Sequence, residues 1–198
     1  MARTEESNQR IREEQKRKIL VAATKVFARK GLAGTRMADI AAEAGVGYGL
    51  VYHYFESKEV IFRAAVERGT GAFERLINDA QEQPGTPWER LYRLSVIILD
   101  GLRRVPEGFL VTQQAFVSDT VPQDIKEEAI RQARRSSERL QQLITEGQAL
   151  GQVVAGNPGE LTTLYLSCVG GIAYNFNYFG IPEEDYPRPE SLLRLLKP

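Results

Sequence analysis

The sequence predicts an all-α chain of about nine helices, and three observations predict it. No segment keeps the alternation of apolar and polar residues that a half-buried strand requires. Apolar residues instead recur three and four positions apart along most of the chain. Glycines and prolines fall between those periodic stretches, where turns belong.

The elements follow in order. From about Arg12 to Lys30, the residues Ile19, Ala22, Ala23, Val26 and Phe27 mark one buried stripe, and Gly31 is placed to stop the helix. Residues 1–10 precede that stripe and are expected to form a disordered arm. Thr35 suits the N-cap of a short second helix with Met37, Ile40, Ala41 and Ala44 inward, and Gly45 ends it. A third helix runs from about Tyr48 to Tyr54. Ser57 caps a fourth, from Lys58 to about Gln81. The run Gln83-Pro84-Gly85-Thr86-Pro87 breaks the chain, and a fifth helix then reaches about Arg104, near Pro106. A sixth covers roughly 108–118. Pro122 fits the first turn of a long seventh reaching Leu150, with Ile125, Ala129, Ile130, Ala133, Leu140, Leu143 and Ile144 as its stripe. After the turn Gly156-Asn157-Pro158-Gly159, an eighth runs from about Glu160 to Phe179. Pro182, Pro187 and Pro189 punctuate an acidic connector before a short helix containing Leu192, Leu193, Leu195 and Leu196.

Composition narrows the function. With 198 residues, 42% apolar and 26% charged, the chain has the balance of a globular protein. No run approaches the ~18 apolar residues of a membrane span, so no membrane partner is expected. Residues 1–18 carry no apolar signal region. Cys168 is the only cysteine, which excludes an intrachain disulfide and fits a cytoplasmic location; its apolar surroundings suggest a small buried hydrophobe. With one histidine (His53) far from that cysteine, no catalytic residue, metal site or cofactor is expected. The net charge is zero, but residues 1–65 hold 12 Lys/Arg against 8 Asp/Glu, and the remainder 14 against 18. Arg10, Arg12, Lys16, Arg17, Lys18, Lys25, Arg29, Lys30 and Arg36 make the start of the chain a phosphate-seeking region.

Residues 35–58, TRMADIAAEAGVGYGLVYHYFESK, carry the most specific signal. Two short helices joined at Gly45-Val46-Gly47 make a helix-turn-helix. The turn needs a positive φ, which Gly45 supplies, and Val46 can plug the corner. Val51 and Phe55, four apart, face the core, so Tyr48, Tyr52 and His53 lie on or beside the opposite surface. The second helix of such a pair enters the major groove of duplex DNA.

From the first helix to the start of the fourth, the sequence resembles the TetR family of bacterial regulators. The resemblance rests on Ile19, Ala22, Phe27, Gly31, Thr35, Ile40, Ala41, Ala44, Gly45, Val46, Gly49, Tyr52, Phe55, Lys58 and Glu59. It implies a DNA-binding headpiece over residues 1–56 and a helical body over 57–198 that binds a ligand and dimerises. By position it implies that Thr35 and Arg36 sit near phosphate, that Gly47, Tyr48 and Leu50 lie on the groove side, and that Tyr52 donates its hydroxyl to phosphate. It further implies that His53 touches phosphate or base and that Lys58 pairs with the DNA backbone. Gly47, Tyr48 and Leu50 depart from the usual serine, lysine and small residue of the family. The implied partners are a near-palindromic double-stranded operator, a second copy of the chain and an unidentified small-molecule effector. Candidate pocket residues are Phe73, Trp88, Tyr92, Phe109, Phe116, Tyr165, Tyr174 and Phe176; candidate dimer residues are Leu161, Leu164, Val169, Gly170, Ile172 and Ala173. The expected function is a repressor released by its effector. A ligand-independent DNA-organising protein is the alternative on the same scaffold, and an enzyme is the remote one.

Overall fold

The computed structural model describes residues Ala2–Pro198, with side chains from Ser7 onward. The described residues form nine α-helices and no strand: α1 (Ala2–Gly34), α2 (Met37–Ala44), α3 (Tyr48–Tyr54), α4 (Lys58–Glu82), α5 (Pro87–Arg104), α6 (Pro106–Val117), α7 (Gln123–Ala149), α8 (Pro158–Phe179) and α9 (Pro189–Leu192). Short 3₁₀ turns cover Glu183–Asp185 and Leu193–Leu196.

The helix starts have local causes. Thr86 accepts from the Glu89 N–H at 3.3 Å while the Glu89 carboxylate accepts from the Thr86 N–H at 2.8 Å, and Pro87 sets the first turn of α5. The Asn157 side chain accepts from Gly159 and Glu160 N–H at the start of α8. Residues 2–10 continue α1, correcting the expectation of a disordered arm. Glu5, Glu6, Gln9 and Arg10 favour helix there, and no glycine or proline interrupts them. Met1 lies outside the described residues.

Two compact units emerge, each with its own core. The first takes the chain through Gly69 together with Leu110–Ala129. Ile19, Phe27, Ile40, Val51 and Phe62 are fully buried in it, and the Phe27 and Phe62 rings meet edge to face at 5.1 Å. The expected boundary at residues 56/57 therefore differs from the packing, because Ile61, Phe62, Ala65 and Val66 on α4 belong to this core. The second unit takes Thr70–Phe109 and Ile130–Pro198, around Ile77, Leu91, Leu94, Leu140, Leu143, Ile144 and Tyr165.

Two other expectations are corrected. Ile130 and Ala133 are exposed on α7, and Ser136 is buried instead. The inward positions 125, 129, 136, 140 and 143 advance at the helical period and leave 130 to one side, whereas Ala133 shares their face and is exposed all the same. Cys168 is exposed, because its neighbours Tyr165 and Val169 take the inward face of α8.

Tyr165 is the largest fully buried side chain. Its hydroxyl lies 2.9 Å from Ser95 Oγ, and Ser95 donates to the Leu91 carbonyl at 2.8 Å, so Tyr165 is the donor between them. Burial pushes the Tyr165 phenol up to about 12, against a smaller opposing effect of the Ser95 hydroxyl, which can turn toward a phenolate. The folded phenol thus keeps its proton to higher pH than the unfolded one. Its contribution to stability is whole below the ordinary value of 10.0 and is lost as pH rises through about 12. Denaturant unfolding across that window is expected to show wild type losing stability more steeply than Tyr165→Phe. Parallel slopes would contradict this account.

Candidate nucleic-acid interface

The surface is built from a short turn and a short helix. Gly45 closes α2 at φ 61°, ψ 42°, its N–H reaching the Ala42 carbonyl at 3.1 Å while the Val46 N–H reaches Ala41 at the same distance. An L side chain is strained at that φ, so the expectation for Gly45 holds. Val46 packs against the first core, as its corner position requires. α3 then starts from Gly47 and buries Val51 on one side, and Phe55 ends the helix in extended backbone with its ring in the core.

The other side of α3 faces outward. Tyr48 is 54% exposed, Tyr52 44%, and Leu50 and His53 are exposed beside them. The Tyr48 and Tyr52 hydroxyls lie 3.2 Å apart and their rings 5.0 Å apart at 63°. Lone exposed apolar residues are ordinary, but two large aromatics and a leucine on one turn form a patch suited to a partner. Arg36 is exposed at the start of α2.

What holds this helix pair in place was not legible from residue spacing. α1 is kinked at Gly31, where φ 68° and ψ 173° leave the helix and strip carbonyls of their amide partners. Gln114 Nε2 donates to the Phe27 carbonyl at 3.0 Å. Thr35 Oγ1 donates to the Gly31 carbonyl at 2.6 Å. The Lys58 ammonium donates to the carbonyls of Leu32, Ala33 and Thr35 at 2.9, 3.3 and 3.0 Å, using all three of its hydrogens.

Two assignments change as a result. Thr35 is buried and is not the N-cap of α2, because its hydroxyl is the donor nearest the Gly31 carbonyl freed by the kink. The cap position falls on Arg36, whose N–H is taken by the Asp39 carboxylate at 2.9 Å. Lys58, expected on the DNA backbone, turns its ammonium inward to the α1 carbonyls.

Ion pairs fasten α1 to α2. Lys30 Nζ lies 2.9 Å from Asp39, and Arg29 reaches Glu43. The Lys30 hydrogen bond, helped by the Arg36 N–H, holds the Asp39 carboxyl below its ordinary range, and Arg29 does the same for Glu43. Two cations of the basic start of the chain are therefore engaged within the protein. Farther along α1, Arg10, Glu13, Glu14, Lys16, Arg17 and Leu20 line a groove of about 600 Å³ with Arg68, carrying both signs of charge.

Residues 19–65 match the family model described as bacterial regulatory proteins, tetR family. The chain carries that family's DNA-binding domain over those residues. It is thus a DNA-binding transcriptional regulator, as its helix-turn-helix led us to expect. An uncharacterized HTH-type transcriptional regulator from Bacillus subtilis, YfiR, is 27% identical over 169 residues, covering 84% of this chain and 82% of its own. Among solved structures, the MbdR regulator from Azoarcus sp. CIB superposes with a TM-score of 0.80 at 21% identity, over 92% of this chain and 97% of that one. AibR, solved in complex with isovaleryl coenzyme A and operator DNA, superposes at 0.69 with 18% identity, over 90% and 93%. At such identities the likeness to both structures is one of fold.

The remaining candidate residues of this regulator do not gather into one place. Phe73, Trp88, Tyr92 and Phe109 are partly buried against the second core, and Phe176 is partly buried with its ring edge to face with Tyr186 at 5.1 Å. Tyr165 is inside that core, its hydroxyl satisfied by Ser95. Tyr174 is 44% exposed, and Phe116 is exposed on the first unit. On α8, Val169 and Ala173 are buried in the chain's own core and are unavailable to a second copy, which corrects two of the dimer candidates. Leu161, Gly170 and Ile172 are partly buried, while Leu164 is 53% exposed on the outer face with Cys168, Tyr174 and Tyr178.

Replacing Lys58 by Met keeps the length of the side chain and removes its hydrogens. Loss of the three carbonyl bonds is expected to lower unfolding free energy by about 1–3 kcal/mol, read by denaturant titration. A Lys58→Met protein as stable as wild type but weak on DNA would instead put the ammonium on phosphate.

Proposed function

We propose that this regulator is a homodimeric repressor of a near-palindromic operator, released when a small-molecule effector binds its body. The observation that carries the reading is the outward face of α3, where Tyr48, Leu50, Tyr52 and His53 stand exposed on a helix braced from behind by Val51 and Phe55. In this reading Tyr52 donates to a phosphate, Leu50 and His53 reach the groove, and Arg36 adds a charged backbone contact. Open space at the Cβ positions of Gly47 and Gly49 lets the duplex approach the backbone closely. Thr35 acts by holding the turn, and Lys58 by fixing α2 and α3 beneath it.

Pairing follows from binding strength. A seven-residue helix makes few contacts, whereas two such helices about 34 Å apart meet successive major grooves. The outer face of α8, with Leu164, Cys168, Tyr174 and Tyr178, is the surface we assign to the second copy. Effector binding is supported by AibR, a similar fold solved in complex with isovaleryl coenzyme A and operator DNA, and release of the duplex is this proposal's own step. In this reading the effector's apolar contacts come from the second unit, where Phe73, Trp88, Tyr92 and Phe109 are partly buried aromatics. An effector that prefers one body conformation shifts the population away from the DNA-competent spacing. The reading places the protein in the cytoplasm, with its operator, and assigns it no catalytic step or cofactor.

Selection from random duplex pools is expected to yield a two-fold symmetric site with half-sites ~10 base pairs or a multiple apart. If six to ten phosphates are contacted, affinity should fall by about 10³–10⁵ between roughly 50 and 200 mM salt. Binding with no sequence preference, or unchanged by salt, would overturn the proposal. A metabolite library that releases none of the bound duplex would remove its effector clause.

A further inference from the structure

We propose that Tyr48 positions the Tyr52 hydroxyl and does not itself read base sequence. This rests on the reading above that Tyr52 donates to a phosphate. The two residues stand one helical turn apart, and their hydroxyl oxygens lie 3.2 Å from each other. Their rings meet edge to face at 5.0 Å, so the ring of Tyr48 also limits the swing of Tyr52. Among the described residues, Tyr48 is the only hydrogen-bond partner of the Tyr52 hydroxyl. Gly49, between them in sequence, has open space where a Cβ would stand.

The proton inventory decides the role. Each phenol has one proton, and in the free protein either can close the pair. Once a phosphate oxygen takes the Tyr52 proton, only the Tyr48 proton remains to close it. Tyr48 then donates to Tyr52, which polarises the Tyr52 O–H and makes it a better donor to the anion. The proton of Tyr48 is consumed, and no donor is left for a base edge.

A double-mutant cycle on the full chain tests this, with the selected operator and its single-base variants as probes. Tyr52→Phe is expected to weaken every duplex about tenfold, and Tyr48→Phe about threefold, since one hydrogen bond to a charged group is at stake. The double variant should bind like Tyr52→Phe alone, because Tyr48 has nothing to position once that hydroxyl is gone. Thermal midpoints should not move, since Phe keeps the ring contact. A changed preference at any base pair, multiplying losses in the double variant, or no loss from Tyr48→Phe would each overturn the proposal. Tyr52→Phe binding as wild type would remove the phosphate contact itself, and this inference with it. An altered preference with Tyr52→Phe still costly would spare that contact.

Discussion

The arrangement depends on how the end of α1 is satisfied. The kink at Gly31 turns the chain into α2 and frees carbonyls that no helical amide can reach. Buried orphan carbonyls are costly, so the turn persists only where donors are supplied. Lys58 supplies three hydrogens to Leu32, Ala33 and Thr35, Thr35 supplies one to Gly31, and Gln114 reaches Phe27. An ammonium at the C-terminal end of a helix also meets the negative end of its dipole. One cation at the first residue of α4 therefore fixes the exit of α1 and the entry of α2 together.

α3 inherits its order from that turn. Seven residues are too few for a helix to persist alone in water. Burial of Val51 and Phe55 contributes about 1.5–3 kcal/mol each, which offsets much of the ordering entropy. Gly45 sets the angle between the helices through its left-handed backbone, and the Lys30–Asp39 and Arg29–Glu43 pairs tie α2 to α1. Those ion pairs are exposed, so they add little stability. Their effect is to commit part of the basic start of the chain to architecture, leaving Arg36 and the face of α3 to meet a partner.

Much of this was legible in the residues. Ile19, Ala22, Ala23, Val26 and Phe27 lie in the core because a stripe three and four apart has one face to bury. Gly45, Val51 and Phe55 could be placed from the helix-turn-helix pattern, and Tyr48 and Tyr52 followed as the opposite face. The partners of Lys58, Gln114 and Thr35 were not legible. A long cation beside a DNA-binding motif looks the same whether it faces phosphate or carbonyl oxygens, and those carbonyls become orphans only once Gly31 kinks. α8 failed for a different reason. It is apolar on more than one face, so Val169, Ala173 and Cys168 could not be divided between inside and outside by periodicity. On α7, the run Ile125–Ala133 offered two registers, and Ser136 marks the one that packs.

In the proposed homodimer, two copies of α3 meet one face of a duplex, each held outward by the same carbonyl-capped turn. Hydroxyl-radical footprinting on a selected operator tests it most directly, because it maps backbone protection nucleotide by nucleotide. Two protected windows on one face of the duplex, about 34 Å apart, are expected to appear together as protein is added. A single window, or protection spread evenly along the probe, would contradict it.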